Sequence, residues 1–252
     1  MLQELTEPKQ VCEATSRMNR TLAAACNEAD LDKITSLCAH SSLNEQDSLN
    51  KLLKKHEPLF DGASGAWNIA PVSLELKPGS EPHHGRVCPT PQAHDQSLRD
   101  EVQRPTKLGV LEQIDRSEWA APSFPRPEQN NTIRFISDFR KLNECLMRHP
   151  FPIPHVPEPL QKLQGFTCAS SLDLNMGCCH ARLDADACEL CTIVPPWGKH
   201  EHQRLPVGVA CSADIFQEKM SELVHGLEFA QVCMDDLSVL MKKQLRGSSK
   251  QA

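Results

Sequence analysis

Between Phe229 and Met241 the chain is apolar, broken only by a few small polar residues and one adjacent acidic pair, Asp235-Asp236. Val232-Cys233-Met234 before the pair and Leu237-Ser238-Val239-Leu240 after it are both strand-like. The segment therefore predicts a β-hairpin with aspartates at its tip. Two carboxylates crowded beside a core repel one another and lose hydration. They persist where a cation neutralises them or where the tip is wet. Most Asp-Asp pairs in turns are simply solvated, so the pair alone leaves both readings open.

A third acid changes the balance. Asp173 closes another apolar, strand-like stretch, in Ser171-Leu172-Asp173-Leu174-Asn175-Met176-Gly177. Three carboxylates from two neighbouring strands can hold two divalent ions, which activate an attacking hydroxyl and steady the leaving oxygens of a phosphoryl transfer. Magnesium suits such a site because it takes few carboxylates together with substrate phosphates.

The remainder of the chain must build the body that carries these strands. Its 252 residues are 39% apolar and 24% charged, enough for a packed core in one large domain. No run of eighteen apolar residues occurs, so no membrane span is expected. Met1 to Arg20 is polar without an apolar h-region, which predicts an intracellular protein, cytoplasmic or nuclear alike. The 12 cysteines then read as thiols. A net charge of −6 argues against a generally basic nucleic-acid binder, although a local basic groove is compatible with it.

Periodicity predicts two short amphipathic helices before Pro58, with Leu31, Ile34, Leu37 and Cys38 on one stripe and Leu49, Leu52 and Leu53 on the other. Residues 61–94 are punctuated by glycine and proline and predict an extended strap with one strand around Val72 to Leu76. A helix over Asp95 to Leu108 should turn Leu98, Val102 and Leu108 inward and end early or kink at Pro105. Strands are predicted at Thr132 to Ser137 and Cys168 to Leu174, with a short helix at Leu160 to Leu163. A further helix, capped by Ser212 and ended by Gly226, carries Phe216, Met220, Leu223 and Val224. The mixture predicts an α+β fold.

Taken in order, these segments resemble the reverse transcriptases. Asp173 in its Leu-Asp-Leu setting, Leu205-Pro206-Val207-Gly208 with Ile215-Phe216-Gln217, and Met234-Asp235-Asp236 have the order and spacing of that family's motifs A, B and C. Arg134-Phe135-Ile136-Ser137-Asp138-Phe139-Arg140-Lys141-Leu142-Asn143 is similar to its fingers motif, and Pro150-Phe151-Pro152-Ile153-Pro154 follows suit. Leu59-Phe60-Asp61-Gly62 and Pro195-Pro196-Trp197-Gly198-Lys199 resemble the polyproteins of gypsy-type LTR retrotransposons. The resemblance implies a right-hand polymerase, with fingers and partial palm over residues 95–252, truncated before the thumb. Residues 1–60 would be a helical connector and 61–94 the strap. It implies RNA-directed DNA synthesis on an RNA or DNA template with primer, from deoxynucleotide triphosphates and two magnesium ions. Asp173, Asp235 and Asp236 would then be catalytic metal ligands. Arg134, Cys178, Val207 and Gly208 would contact the incoming nucleotide, Arg134 by gripping its triphosphate.

Departures from the family pattern fall at working positions. Cys178 stands where an aromatic usually packs under the sugar, Cys233 where motif C usually has tyrosine, and Val207 where motif B is polar or methionine. Glu128 and Gln129 replace lysines, placing negative charge where triphosphate should approach. The chain has no tyrosine, and His or Cys occupies positions 178, 179, 200, 202 and 233, where relatives carry it. Impaired activity is expected, the alternative being a non-catalytic retroelement remnant that at most binds nucleic acid or partner chains. Cys188-x-x-Cys191 with His200 and His202 has zinc-ligand residue types, but predicted strand placement and unusual spacing argue for plain core residues. Cys178-Cys179 reads as a pair of half-buried thiols on a strand, His83-His84 as solvent-facing, and Ser170-Ser171 as the start of a strand.

Overall fold

A computed structural model describes residues 29–61, 65–127, 133–153, 166–174 and 176–242. The expected helix at 160–163 and the residues Glu128 and Gln129 lie outside this set. Two short helices come first, α1 (Leu31–Ser36) and α2 (Leu43–Lys55). The Asp30 carboxylate caps α1 by accepting from Lys33 N at 2.9 Å, and Ser42 with Glu45 forms a reciprocal capping box on α2. Lys54 and Asn50 of α2 both reach Asp32 of α1, at 2.8 and 2.6 Å. Caps and polar ties thus hold this pair. The expected apolar stripes do not: Leu31 is buried, but Ile34, Leu37 and Leu52 are exposed.

The strap is laced onto the body at three places. Val72 N donates to Arg182 O, Met147 N to Glu75 O, and Gly85 N to Ala120 O, each at 2.8 Å. Val72 and Leu74 within it are buried. Gly85 lies so close to β2 that a Cβ there would meet Pro122 Cγ at 2.5 Å and the Ala120 carbonyl oxygen at 3.0 Å. Gly85→Ala should therefore cost about 1–3 kcal/mol, read as a lower denaturation midpoint. An unchanged midpoint would mean that the strap yields freely.

Helix α3 (Asp95–Lys107) runs through Pro105 rather than stopping at it. The proline sits in the last turn, and its carbonyl accepts from Val110 N at 2.9 Å. Gly109, at φ 65°, ends the helix in the left-handed conformation. Leu98 and Val102 are buried as expected, whereas Leu108, past the last turn, is exposed.

The strands β1 (Leu111–Ile114), β2 (Ala121–Pro127), β3 (Ile133–Ser137), β5 (Thr192–Val194) and β6 (Lys199–His202) form one mixed sheet in the order β1-β6-β5-β2-β3. Helix α4 (Arg140–Cys145) follows β3, and α5 (Ala185–Leu190) precedes β5. The second sheet is antiparallel, in the order β4-β8-β7, from β4 (Phe166–Asp173), β7 (Ala230–Cys233) and β8 (Asp236–Lys242). Helix α6 (Ser212–Leu223) connects the two regions. One apolar core joins them, from Leu111, Trp119 and Ile193 through Leu205 and Phe216 to Val232. The fold is α+β. Among the described residues no helix is long and apolar enough to cross a membrane.

Several local expectations need correction. Cys178 and Cys179 lie in a 3₁₀ turn, Gly177–His180, and are buried. Cys188 is on α5 and Cys191 caps its end, so the pair is helical rather than extended. Their apolar spacing suits either period, and the Asp184 cap, which accepts from Ala187 N at 2.8 Å, decides for helix. Ser170 and Ser171 fall late in β4, opposite Val239 and Ser238. The N-cap of α6 is Cys211, without a side-chain capping bond, and the Ser212 hydroxyl donates to Pro206 O at 2.7 Å instead of capping.

Candidate active site

The second sheet brings the three acids together at one end. In β4–β8 pairing Asp173 stands opposite Asp236, and in β7–β8 pairing Cys233 also stands opposite Asp236. Met234 and Asp235 are left to close the hairpin. Residues directly opposite on antiparallel strands project from the same face, so Asp173 and Asp236 share one. Leu174 N donates to Asp235 O at 3.0 Å, which fixes the tip against the end of β4. Met234 holds φ 58°, a left-handed value that turns of this length usually assign to glycine. A bulky residue held there marks a strained turn.

That turn is gripped from beneath by α6. Gln217 is fully buried; its Oε1 accepts from Met234 N at 2.7 Å, and its Nε2 donates to Val232 O at 3.3 Å. The side-chain amide thus bonds the hairpin backbone as a neighbouring strand would. Gly177 makes room beside it: a Cβ there would lie 3.3 Å from the Phe216 ring and 3.7 Å from Asp235 Cβ. Phe216 in turn stacks on Trp67 of the strap, ring centroids 5.3 Å apart at 12°.

The Leu205–Gly208 loop is fixed from the other side. Leu205 and Pro206 are buried, Val207 is half-buried, and Gly208 is exposed at φ 102°. Asn143 of α4 brackets the loop, donating to Gly208 O at 2.9 Å and accepting from Ala210 N at 2.8 Å. The first turn of α6 is anchored by a buried carboxylate. Asp214 accepts from Arg148 Nε at 2.6 Å, Arg148 Nη2 at 3.2 Å and Phe151 N at 3.1 Å.

Charge at the acidic end is strained as well. Asp173 is exposed, yet partial loss of hydration, and secondly the charge of Asp236, push its carboxyl above its ordinary value. Carboxylates are the hard oxygen donors that magnesium takes, and opposed like charges across a strand pair are what a cation relieves. Among the described residues no three His, Cys, Asp or Glu side chains are gathered closely enough to enclose an ion by themselves. Asp173 and Asp236 are thus the two carboxylates that the strand register sets opposite one another, with Asp235 in the adjoining turn.

The other anticipated site residues are placed less directly. Arg134 is half-buried on β3, in the first sheet, directly opposite Arg126 of β2. Cys178 does not line an open surface: it is buried, and its thiol faces Ser212 O at 3.9 Å. Burial first, and the neighbouring Cys179 and Asp235 next, push that thiol far up. The roles of Gln217, Asn143 and Asp214 escape the sequence reading. Gln217 and Asn143 entered that reading only as members of quoted motifs, and Asp214 not at all.

No protein-family model matches the chain. Its curated relatives include Pol polyproteins of transposons. It is 25% identical over 166 residues to the Retrovirus-related Pol polyprotein from transposon 297 of Drosophila melanogaster, covering 64% of this chain and 16% of that protein. To the corresponding polyprotein from transposon gypsy of the same organism it is 26% identical over 187 residues, covering 71% and 18%. To the Transposon Tf2-3 polyprotein of Schizosaccharomyces pombe it is 26% identical over 161 residues, covering 63% and 12%. The chain thus spans less than a fifth of each of these three. Among solved structures, Prototype Foamy Virus protease-reverse transcriptase superposes with a TM-score of 0.75 at 20% identity, over 84% of this chain and 29% of that one. The foamy viral protease-reverse transcriptase in complex with an RNA/DNA hybrid gives 0.70 at 21% identity, over 97% and 31%. The chain is similar to a segment of retroelement Pol polyproteins and shares its fold with part of a viral protease-reverse transcriptase.

Proposed function

We propose that the chain is the fingers and partial palm of a retrotransposon reverse transcriptase, built for nucleotidyl transfer onto a primer paired with an RNA or DNA template. The observation that carries this reading is the register placing Asp173 opposite Asp236, with Asp235 in the turn between β7 and β8. Acids distant in sequence meet at one sheet end, on a hairpin clamped by Gln217. Two magnesium ions held there would activate the primer hydroxyl and stabilise the leaving pyrophosphate. The protein's own share is positioning: Asn143 and Gln217 fix the loop and hairpin that flank the carboxylates. Arg126 and Arg134 stand opposite one another in the register of β2 and β3, and a guanidinium is the planar fork of donors that suits a triphosphate. The complexes of similar proteins with DNA and with an RNA/DNA hybrid agree with nucleic acid as the partner.

A second reading, a non-catalytic remnant, draws on Cys178. Its thiol points into the core, where the resemblance calls for a ring under the sugar. Magnesium-dependent extension of a primed homopolymer template separates the two. The polymerase reading expects weak incorporation of deoxynucleotide that Asp235→Asn abolishes. Incorporation equal in both proteins, or none in either, would favour the remnant.

A further inference from the structure

Outside the acidic end, two arginines oppose each other without a carboxylate. Arg182 and Arg204 are partners in an isolated antiparallel bridge. Its flanking bonds run from Leu183 N to Gln203 O at 3.1 Å and from Leu205 N to Ala181 O at 3.0 Å. That pattern makes 182 and 204 a non-hydrogen-bonded pair, the cross-strand position where side chains come closest. Like charges so placed destabilise a sheet. Arg99, Arg104, Arg140 and Arg148 each sit on a carboxylate, but among the described residues neither Arg182 nor Arg204 does. Asp184, two residues on, is committed elsewhere: one oxygen caps α5 at Ala187 N, and the other accepts from Ser73.

The two side chains are placed differently. Arg204 is half-buried, and its Nη1 donates to the carbonyls of Gly65 and His180 at 3.4 and 3.5 Å. Carbonyls orient the guanidinium without cancelling its charge. Burial, and then the charge of Arg182, lower the pKa of Arg204, so the cation is held at a cost. Arg182 is exposed and able to close on a ligand. In a chain of net charge −6, an uncompensated pair of this kind is a place for an anion with several oxygens.

We propose that Arg182 and Arg204 form a binding site for a phosphate group, with Arg204 the fixed donor and Arg182 the mobile one. The ligand is a nucleic-acid backbone phosphate or a free polyphosphate, which offer the same oxygens to a planar fork of donors. The site stands apart from the polymerase reading, since it uses none of Asp173, Asp235 or Asp236.

The test is thermal unfolding with tripolyphosphate at constant ionic strength, beside anisotropy of a labelled single-stranded oligonucleotide. Arg182→Glu turns the repelling pair into an attracting one, so the unliganded protein should be at least as stable as wild type. A lost response in that variant is therefore not a folding failure. Arg86→Glu makes the same charge change at an exposed strap position and serves as control. The expected result is affinity reduced at least about tenfold in Arg182→Glu and unchanged in Arg86→Glu. An effect on tripolyphosphate identifies a free anion, and one on the oligonucleotide alone identifies a backbone phosphate. Equal responses in all three proteins, or equal losses in both variants, would overturn the site. Asp173→Asn should leave the response intact, which keeps this outcome separate from that of the extension assay.

Discussion

Arg148→Ala is expected to lower the unfolding free energy by about 3 kcal/mol, more than Asp214→Ala does. The asymmetry follows from burial. The Asp214 side chain is 3% exposed and the Arg148 side chain 51%. Removing the arginine leaves a carboxylate inside the protein with the Phe151 N–H as its remaining donor in the clasp. An uncompensated buried charge is among the costliest single defects. Removing the aspartate instead frees a guanidinium that already reaches water, and leaves the Phe151 N–H unpaired at a cost of about 1–2 kcal/mol. Asp214→Asn keeps an acceptor and should fall between wild type and Asp214→Ala. Urea denaturation of the three variants gives the order directly. If Asp214→Ala were the more damaging change, the carboxylate would be serving as packing rather than as a charge held by Arg148.

Acid should weaken the fold through His202. This side chain is buried on β6, edge-on to Phe139 at 5.9 Å, and neither ring nitrogen has a hydrogen-bond partner among the described residues. Loss of hydration first, and the neighbouring His200 second, lower its pKa from 6.5 to about 3. The folded protein thus prefers the neutral ring, while the unfolded chain takes up a proton near pH 6.5. Stability from this group is complete above about pH 6.5 and is lost progressively as pH falls toward 3. Each pH unit in that window removes up to about 1.4 kcal/mol, or about 2 kcal/mol between pH 7.5 and 5. His202→Phe should abolish most of that loss, and His200, lowered by burial alone, contributes to what remains. Identical pH dependence in wild type and variant would show that water or a proton reaches His202 in the native state.

What could be read from the sequence was local. The hairpin from Ala230 to Lys242 is set by alternation around an acidic tip, and the strand at 166–173 by the same period, so both were legible. The convergence of Asp173 with Asp236 rested on supposing their strands to be neighbours and on the resemblance, because no local pattern fixes which strands pair. Arg148 and Asp214 were illegible for the same reason. Each reads as a solvated charge by itself, and only the fold shows one of them buried against the other. The stripe of α1 and α2 misled in the opposite sense: helical spacing was right, but it does not say whether anything covers the face. Cys178 and Cys179 were misplaced because Met176, at φ 58°, breaks the strand period just before them.

Manganese(II), a paramagnetic substitute for magnesium, reports directly on whether Asp173 and Asp236 share a cation. The amplitude of the free-ion resonance should fall as wild-type chain is titrated in, and fall further with a deoxynucleotide triphosphate present. The double variant Asp173→Asn/Asp236→Asn should leave both amplitudes near the protein-free level. Equal binding by the two proteins would contradict a shared metal site at the paired ends of β4 and β8.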